Sequence, residues 1–157
     1  YKLIYTMKKT LFASTLALAV LLGSASLASA SGPMAKLEMI KAKVVGGESK
    51  ATEIHNKLND YITRADEKGY DVSTAEAEMD QAEDSYASLI SEIGEFKAMI
   101  DDAIEAGAVP GDGTLKAQAS VVKSSLVTFK SDMLEVKEAL KDLKGDAVPF
   151  PGDEPAL

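Results

Sequence analysis

Three carboxylates, Asp101, Asp102 and Glu105, are the first residues whose types and spacing suggest chemistry. Oxygen ligands gathered in one place can hold a hard cation such as Ca²⁺ or Mg²⁺. These three fall near the C-terminal end of a helical stretch, where the backbone dipole disfavours negative charge, so an incoming cation would relieve a cost. Their spacing matches no oxygen-ligand loop, and a solvated helix face is the plainer reading. His55 is the only histidine. With no second histidine and no cysteine it lacks the co-ligands of a first-row metal site, and a flank position on a helix accounts for it. Asp112, in Pro110-Gly111-Asp112-Gly113-Thr114, offers one more carboxylate, which a tight turn before a helix also explains. Nucleophilic chemistry has less to work with. There is no Gly-rich phosphate loop, and Ser and Thr stand at caps and on faces without a base in reach. The expectation is a protein that is not an enzyme and carries no cofactor.

The elements that must position these residues are helices. From Asp71 to Ala106, apolar positions run Ala75, Met79, Ala82, Tyr86, Leu89, Ile93, Phe96, Ile100 and Ala103. The spacing alternates four and three, which puts all of them on one stripe. Ile90, Met99 and Ile104 widen the stripe at its C-terminal end, as suits a helix touching two neighbours. Before it, Leu37, Ile40, Val44, Gly47, Ala51, Ile54, Leu58, Tyr61 and Ala65 make a second stripe, with Pro33 suited to the first turn. After it, Leu115, Ala119, Val122, Leu126, Phe129, Met133, Val136, Leu140 and Leu143 make a third, stopped by Gly145. Short connections force antiparallel neighbours. The fold class is therefore all-α, an antiparallel three-helix bundle or coiled coil over residues 31–145, with rods about 50 Å long at ~1.5 Å per residue.

Local signals place the turns. Gly69 can take the left-handed conformation that ends a helix, and Ser73-Thr74-Ala75-Glu76 reads as a capping box. The second helix ends at Gly107, and Thr114 can cap the third. Gly46-Gly47 lies inside the first stripe without disturbing its register. Two interior glycines cost about 2 kcal/mol relative to alanines, yet a loop would disturb the register, so the reading is a continuous helix with a hinge, and a break at the pair is the alternative. The segment before that hinge is the cheapest to open, and its swing would uncover Met99, Ile100 and Ala103 to a partner.

Charge follows the same plan. Let a and d denote the stripe positions of each heptad. Lys36, Lys43, Lys50, Lys57 and Arg64 then recur at g of the first helix, and Lys116, Lys123, Lys130, Lys137 and Lys144 at e of the third. Asp71 to Ala106 carries eleven acids against Lys97 alone. In antiparallel neighbours g faces g and e faces e. The pairs expected are Arg64 with Glu78, Lys50 with Glu92, Lys144 with Glu76 and Lys137 with Glu83, leaving Lys97 mismatched against Lys123.

The ends read as processing and tail. Residues 1–30 comprise upstream residues and a signal peptide: Met7-Lys8-Lys9, an apolar run from Leu11 to Leu22, and Ala28-Ser29-Ala30 at the cleavage point. The apolar run is shorter than the ~20 residues of a transmembrane helix, so no stable membrane anchor is expected after cleavage. Three lysines and no acid precede Ser31, which takes the formal net charge from -8 to -11 on maturation. Such a balance argues against nucleic acid and anionic membranes as partners. Residues 146–157 hold three prolines and three acids without periodicity, an acidic Pro-rich tail expected to be disordered.

The run Glu67-Lys68-Gly69-Tyr70-Asp71-Val72-Ser73-Thr74-Ala75-Glu76, followed by an Ala/Glu-rich helix, resembles small exported helical proteins of candidate-phyla bacteria. Those have a leader, a helix, a K-G-x-D-V-S turn and two further helices. The resemblance spans most of the mature chain and implies architecture and export, with no activity. Gly46-Gly47 and the proline-rich tail depart from that pattern. The expected function is a non-enzymatic helical interaction or structural module of the periplasm or cell surface, engaging a protein partner or a second copy. An acidic Ca²⁺/Mg²⁺-binding protein and a periplasmic chaperone are the alternatives.

Overall fold

The computed structural model describes residues 32–143 apart from residue 112. The expected leader, the cleavage at Ser31, the stop at Gly145, the acidic tail and the loop carboxylate of Asp112 all lie outside the described residues. Three helices make up the fold: α1 (Pro33–Asp66), α2 (Ser73–Glu105) and α3 (Thr114–Asp142). They pack against one another, and no strand occurs among the described residues.

Running direction follows from who meets whom. As α1 advances from Lys41 through Glu48 to His55, its partner on α2 retreats from Asp101 through Lys97 to Tyr86. Between α2 and α3, Tyr86 meets Phe129 while Glu92 meets Gln118. Sequence neighbours are thus antiparallel, and α1 and α3 run parallel. The middle helix packs most extensively on α3, and α1 and α3 meet least.

The stripes bury largely as periodicity dictates. Leu58, Leu89, Ile93, Ile100 and Val136 are the largest fully buried side chains, each contributing about 1.5–3 kcal/mol by leaving water. Two positions shift by one residue. Ile62 is buried where Tyr61 was expected, and Ser85 where Tyr86 was, each tyrosine being half-buried. Ile62 stands at e and Ser85 at g, flank positions directly beside the stripe. The hydroxyl of Ser85 is satisfied by the carbonyl of Ala82 at 3.0 Å.

Both turns close in the same way. Gly69 has φ 79°, its N–H donates to the Asp66 carbonyl, and the Tyr70 N–H reaches back to Ala65. Gly107 has φ 64°, with Gly107 N–H on Ile104 and Ala108 N–H on Ala103. This pair of bonds satisfies carbonyls that a helix end would otherwise leave open. The starts differ from expectation. Ser73 is the first residue of α2 and makes no side-chain cap; instead the Asp71 carboxylate accepts from the Ser73 N–H at 3.1 Å. A carboxylate two residues earlier thus takes the Ser73 N–H that Glu76 would have taken in the expected capping box. Thr114 likewise opens α3 as its first residue, and Gly113 (φ 80°) holds the cap position. Across Gly46-Gly47 the helix is continuous, with Gly47 buried on the stripe and Gly46 exposed.

Candidate functional site

The three carboxylates do not converge. Asp101 is engaged by Lys41 of α1, and Asp102 and Glu105 are exposed on α2. Among the described residues no group of three or more His, Cys, Asp or Glu side chains is gathered in a way that could hold a metal ion. Beside the Lys41–Asp101 pair lies a shallow groove of about 460 Å³, lined by Glu38, Lys41, Ala42, Val45, Asp101 and Ile104. Of the residues expected to be uncovered by a swing of α1, Ile100 and Ala103 are buried and Met99 is half-buried.

His55 is not a plain surface residue. Its ring stacks on Tyr86, with centroids 4.3 Å apart and planes at 17°. Tyr86 in turn tilts against Phe129 of α3, centroid to centroid 5.8 Å. The Thr52 hydroxyl donates to the Glu48 carbonyl at 3.0 Å, so its one proton is used. Tyr86 must then be the donor in its 2.9 Å bond to Thr52. One aromatic therefore ties all three helices together at mid-length. Nε2 of His55 is buried and has no hydrogen-bond partner among the described residues.

The charged flanks overturn the expected pairing. On α1 the residues that meet α2 are Lys41, Glu48 and His55, all at e, with Thr52 beyond them. On α2, Lys97 and Ile104 at e face α1, whereas Glu92 at g accepts a 2.7 Å bond from Gln118 at g of α3. So α1 meets α2 through e, and α2 meets α3 through g. This is the opposite hand to the one the charge pairs required. Neither Arg64–Glu78 nor Lys50–Glu92 is among the ion pairs of the described residues, and Lys97, expected to be mismatched, is paired with Glu48 at 2.8 Å. Lys144 lies outside the described residues.

Magnitudes explain the choice of hand. Exposed ion pairs contribute about 0.3–0.5 kcal/mol each, whereas burying one isoleucine contributes ~1.5–3 kcal/mol. The e flank of α1 carries His55 and Ile62, while its g flank is wholly cationic. The g flank of α3 carries Gln118, Ser125, Asp132 and Ala139, while its e flank is wholly lysine. Turning the less charged flanks to the central helix desolvates less charge. The two cationic rows are left together, flanking the one seam where g of α1 and e of α3 meet in parallel. Like charge on both rims also fits the slight contact between those helices.

That seam is a site that sequence reasoning missed. Its rims are Lys36, Lys43, Lys50, Lys57 and Arg64 on one side and Lys116, Lys123, Lys130 and Lys137 on the other. Lys57 is also held by Glu53 of its own helix, whose carboxyl that ammonium keeps below the usual carboxylate range. Outside the lysine row of α3, at b, stand Val127 and Leu134, 62% and 38% exposed. The opposite side of the molecule is the outer face of α2, where Asp80, Asp84, Glu95, Asp102 and Glu105 are exposed. Between those acids the same face shows Ala77, Ala87, Ser88, Ser91, Gly94 and Ala98, all exposed. The signal for the seam is the pair of all-cationic flanks, whose charge alone points to α2 as their partner.

Comparison with family models, with curated proteins and with solved structures finds no match. Among the described residues no helix is long and apolar enough to cross a membrane.

Proposed function

We propose that this protein is a non-enzymatic, exported helical interaction module, acting in the periplasm or at the cell surface after removal of its leader before Ser31. The observation that carries the reading is the separation of charge: a cationic seam between α1 and α3 on one side, and an acidic face on α2 on the other. A rod of about 50 Å with faces of opposite sign presents long complementary surfaces to another macromolecule. Within the bundle the Asp101 carboxylate is engaged by Lys41, and the His55 ring is stacked on Tyr86. In this reading the antiparallel three-helix coiled coil is the working unit and the acidic tail a solvated extension.

The test is site-specific photo-crosslinking in intact cells, with the reactive residue placed at Ser91 on the acidic face, at Lys123 on the seam, or at buried Leu89. Discrete protein adducts at Ser91 or Lys123, absent at Leu89, are expected. Mass spectrometry of the envelope fraction should find Ser31 at the amino terminus. No adduct at either surface position, or a product retained in the cytoplasm, would sink the reading.

A further inference from the structure

We infer that the partner of the cationic seam is the acidic face of α2 on a second copy of this chain, so that copies associate seam to ridge. This rests on the interaction-module reading and names its partner. Three observations carry it. The first is sign: both rims of the seam are wholly cationic, while the outer face of α2 carries carboxylates and no cation. The second is length: at ~1.5 Å per residue the cationic rows extend over about 42 Å on α1 and about 32 Å on α3, and the acids from Asp80 to Glu105 over about 38 Å, so one can lie along the other. The third is shape. Along its middle, from Ala87 to Ala98, the ridge shows side chains no larger than serine apart from Glu95, which lets a backbone sit close between two rims. Val127 and Leu134, exposed beside the lysine row, supply apolar area for that approach.

Overall charge does not forbid this. Two mature copies at net -11 repel at long range, yet at physiological salt the Debye length is ~8 Å, so apposed faces dominate once they touch. A free polyanion matches the seam in sign alone and leaves Val127 and Leu134 uncovered. Seam and ridge lie on opposite sides of one molecule, so the contact is heterologous. Each added copy exposes a fresh seam and a fresh ridge, and association propagates beyond a dimer.

Sedimentation velocity on the purified protein, over a concentration series reaching about 1 mM, tests this. At about 50 mM NaCl the mass is expected to rise with concentration past two chains, and at ~500 mM NaCl to fall to one. The seam variant Lys50→Glu/Lys123→Glu and the ridge variant Asp84→Lys/Asp102→Lys alter exposed residues only. Each alone should remain monomeric at low salt with unchanged helical circular dichroism. Mixing the two should restore assembly, because each reversed face then meets its complement. A wild-type chain that stays monomeric, association indifferent to salt or to both variants, or a mixture of folded variants that does not assemble overturns the inference. Binding of polyphosphate by a monomeric wild type, lost in the seam variant, also overturns it. Any of these results leaves the interaction-module reading standing if crosslinking still finds a partner, so the two can fail separately.

Discussion

The imidazole of His55 lies almost flat on the phenol ring of Tyr86, 4.3 Å between centroids, at the level where Tyr86 also reaches Thr52 and Phe129. Apolar stripes at a and d tolerate sliding by a heptad, because one leucine replaces another. A hydroxyl that must find Thr52 does not slide. Tyr86→Phe keeps the stacked ring and removes the bond to Thr52, which should cost about 0.5–1.5 kcal/mol in urea unfolding. Tyr86→Ala removes the ring as well and should cost about 3 kcal/mol. A double-mutant cycle with His55→Ala should return a coupling of ~0.5–1.5 kcal/mol, the range of aromatic pairs. A coupling near zero would mean that the stack is only incidental contact.

The Glu48–Lys97 pair reports the hand of the bundle. Both side chains are less than one-third exposed, at 27% and 29%. Their cycle, with Glu48→Gln and Lys97→Met, should give a favourable coupling of about 0.5–1 kcal/mol that shrinks in high salt. A parallel cycle between Lys97 and Lys123 should give none, since they flank different seams. Unfavourable coupling in that second cycle would restore the arrangement in which those two lysines face each other.

What the sequence made legible, and what it hid, divides along physical lines. The stripes, the three helices, the glycine-closed turns and the continuity through Gly46-Gly47 all follow from local periodicity and propensity. The hand did not, because a stripe of a and d positions is nearly symmetric about its own axis. The lysine rows then looked like partners for the acids of α2, and counting pairs favoured the wrong hand. Weighing desolvation against surface pairing at Ile62 and at the lysines of α3 would have favoured the observed one. The candidate surface was hidden with it: the cationic rows come together only when α1 and α3 are neighbours through those flanks. The swap of Ser73 for Asp71 as the acceptor at the start of α2 turns on a one-residue shift of helix start, finer than a capping pattern resolves.

Asp71 supplies an acid-side test. Hydrogen bonds from the Ser73 side chain and backbone hold its carboxyl below the ordinary value of 3.8. The sign follows from linkage: a carboxyl depressed by folding stabilises the fold above its unfolded pKa, and that contribution is lost as pH falls through the folded one. Wild type and Asp71→Ala should therefore differ in stability at neutral pH, with the variant weaker, and converge below about pH 4. The difference should be read from urea midpoints across the acid range. A difference that persists unchanged into strong acid would show that Asp71 acts there by shape and not by charge.

Gly46 and Gly69 have the same surroundings and opposite expected responses. A Cβ built on either meets nothing within 4 Å, so space does not distinguish them. Conformation does. Gly46 sits in the helical region within α1, whereas Gly69 has φ 79°. Gly46→Ala lowers the entropy of the unfolded chain and fits the helix, so it should raise stability by about 0.4–1 kcal/mol. It should also slow amide exchange in residues 34–45, the segment beyond the glycine pair, more than elsewhere. Gly69→Ala forces a Cβ into the left-handed region and strains the bonds that close α1, at a cost of ~1–2 kcal/mol. Gly47, buried on the stripe, is left unchanged so that core packing does not enter the comparison. A destabilising Gly46→Ala would mean that α1 needs glycine there for some conformation other than the helix, and the hinge would then be a second state of the molecule.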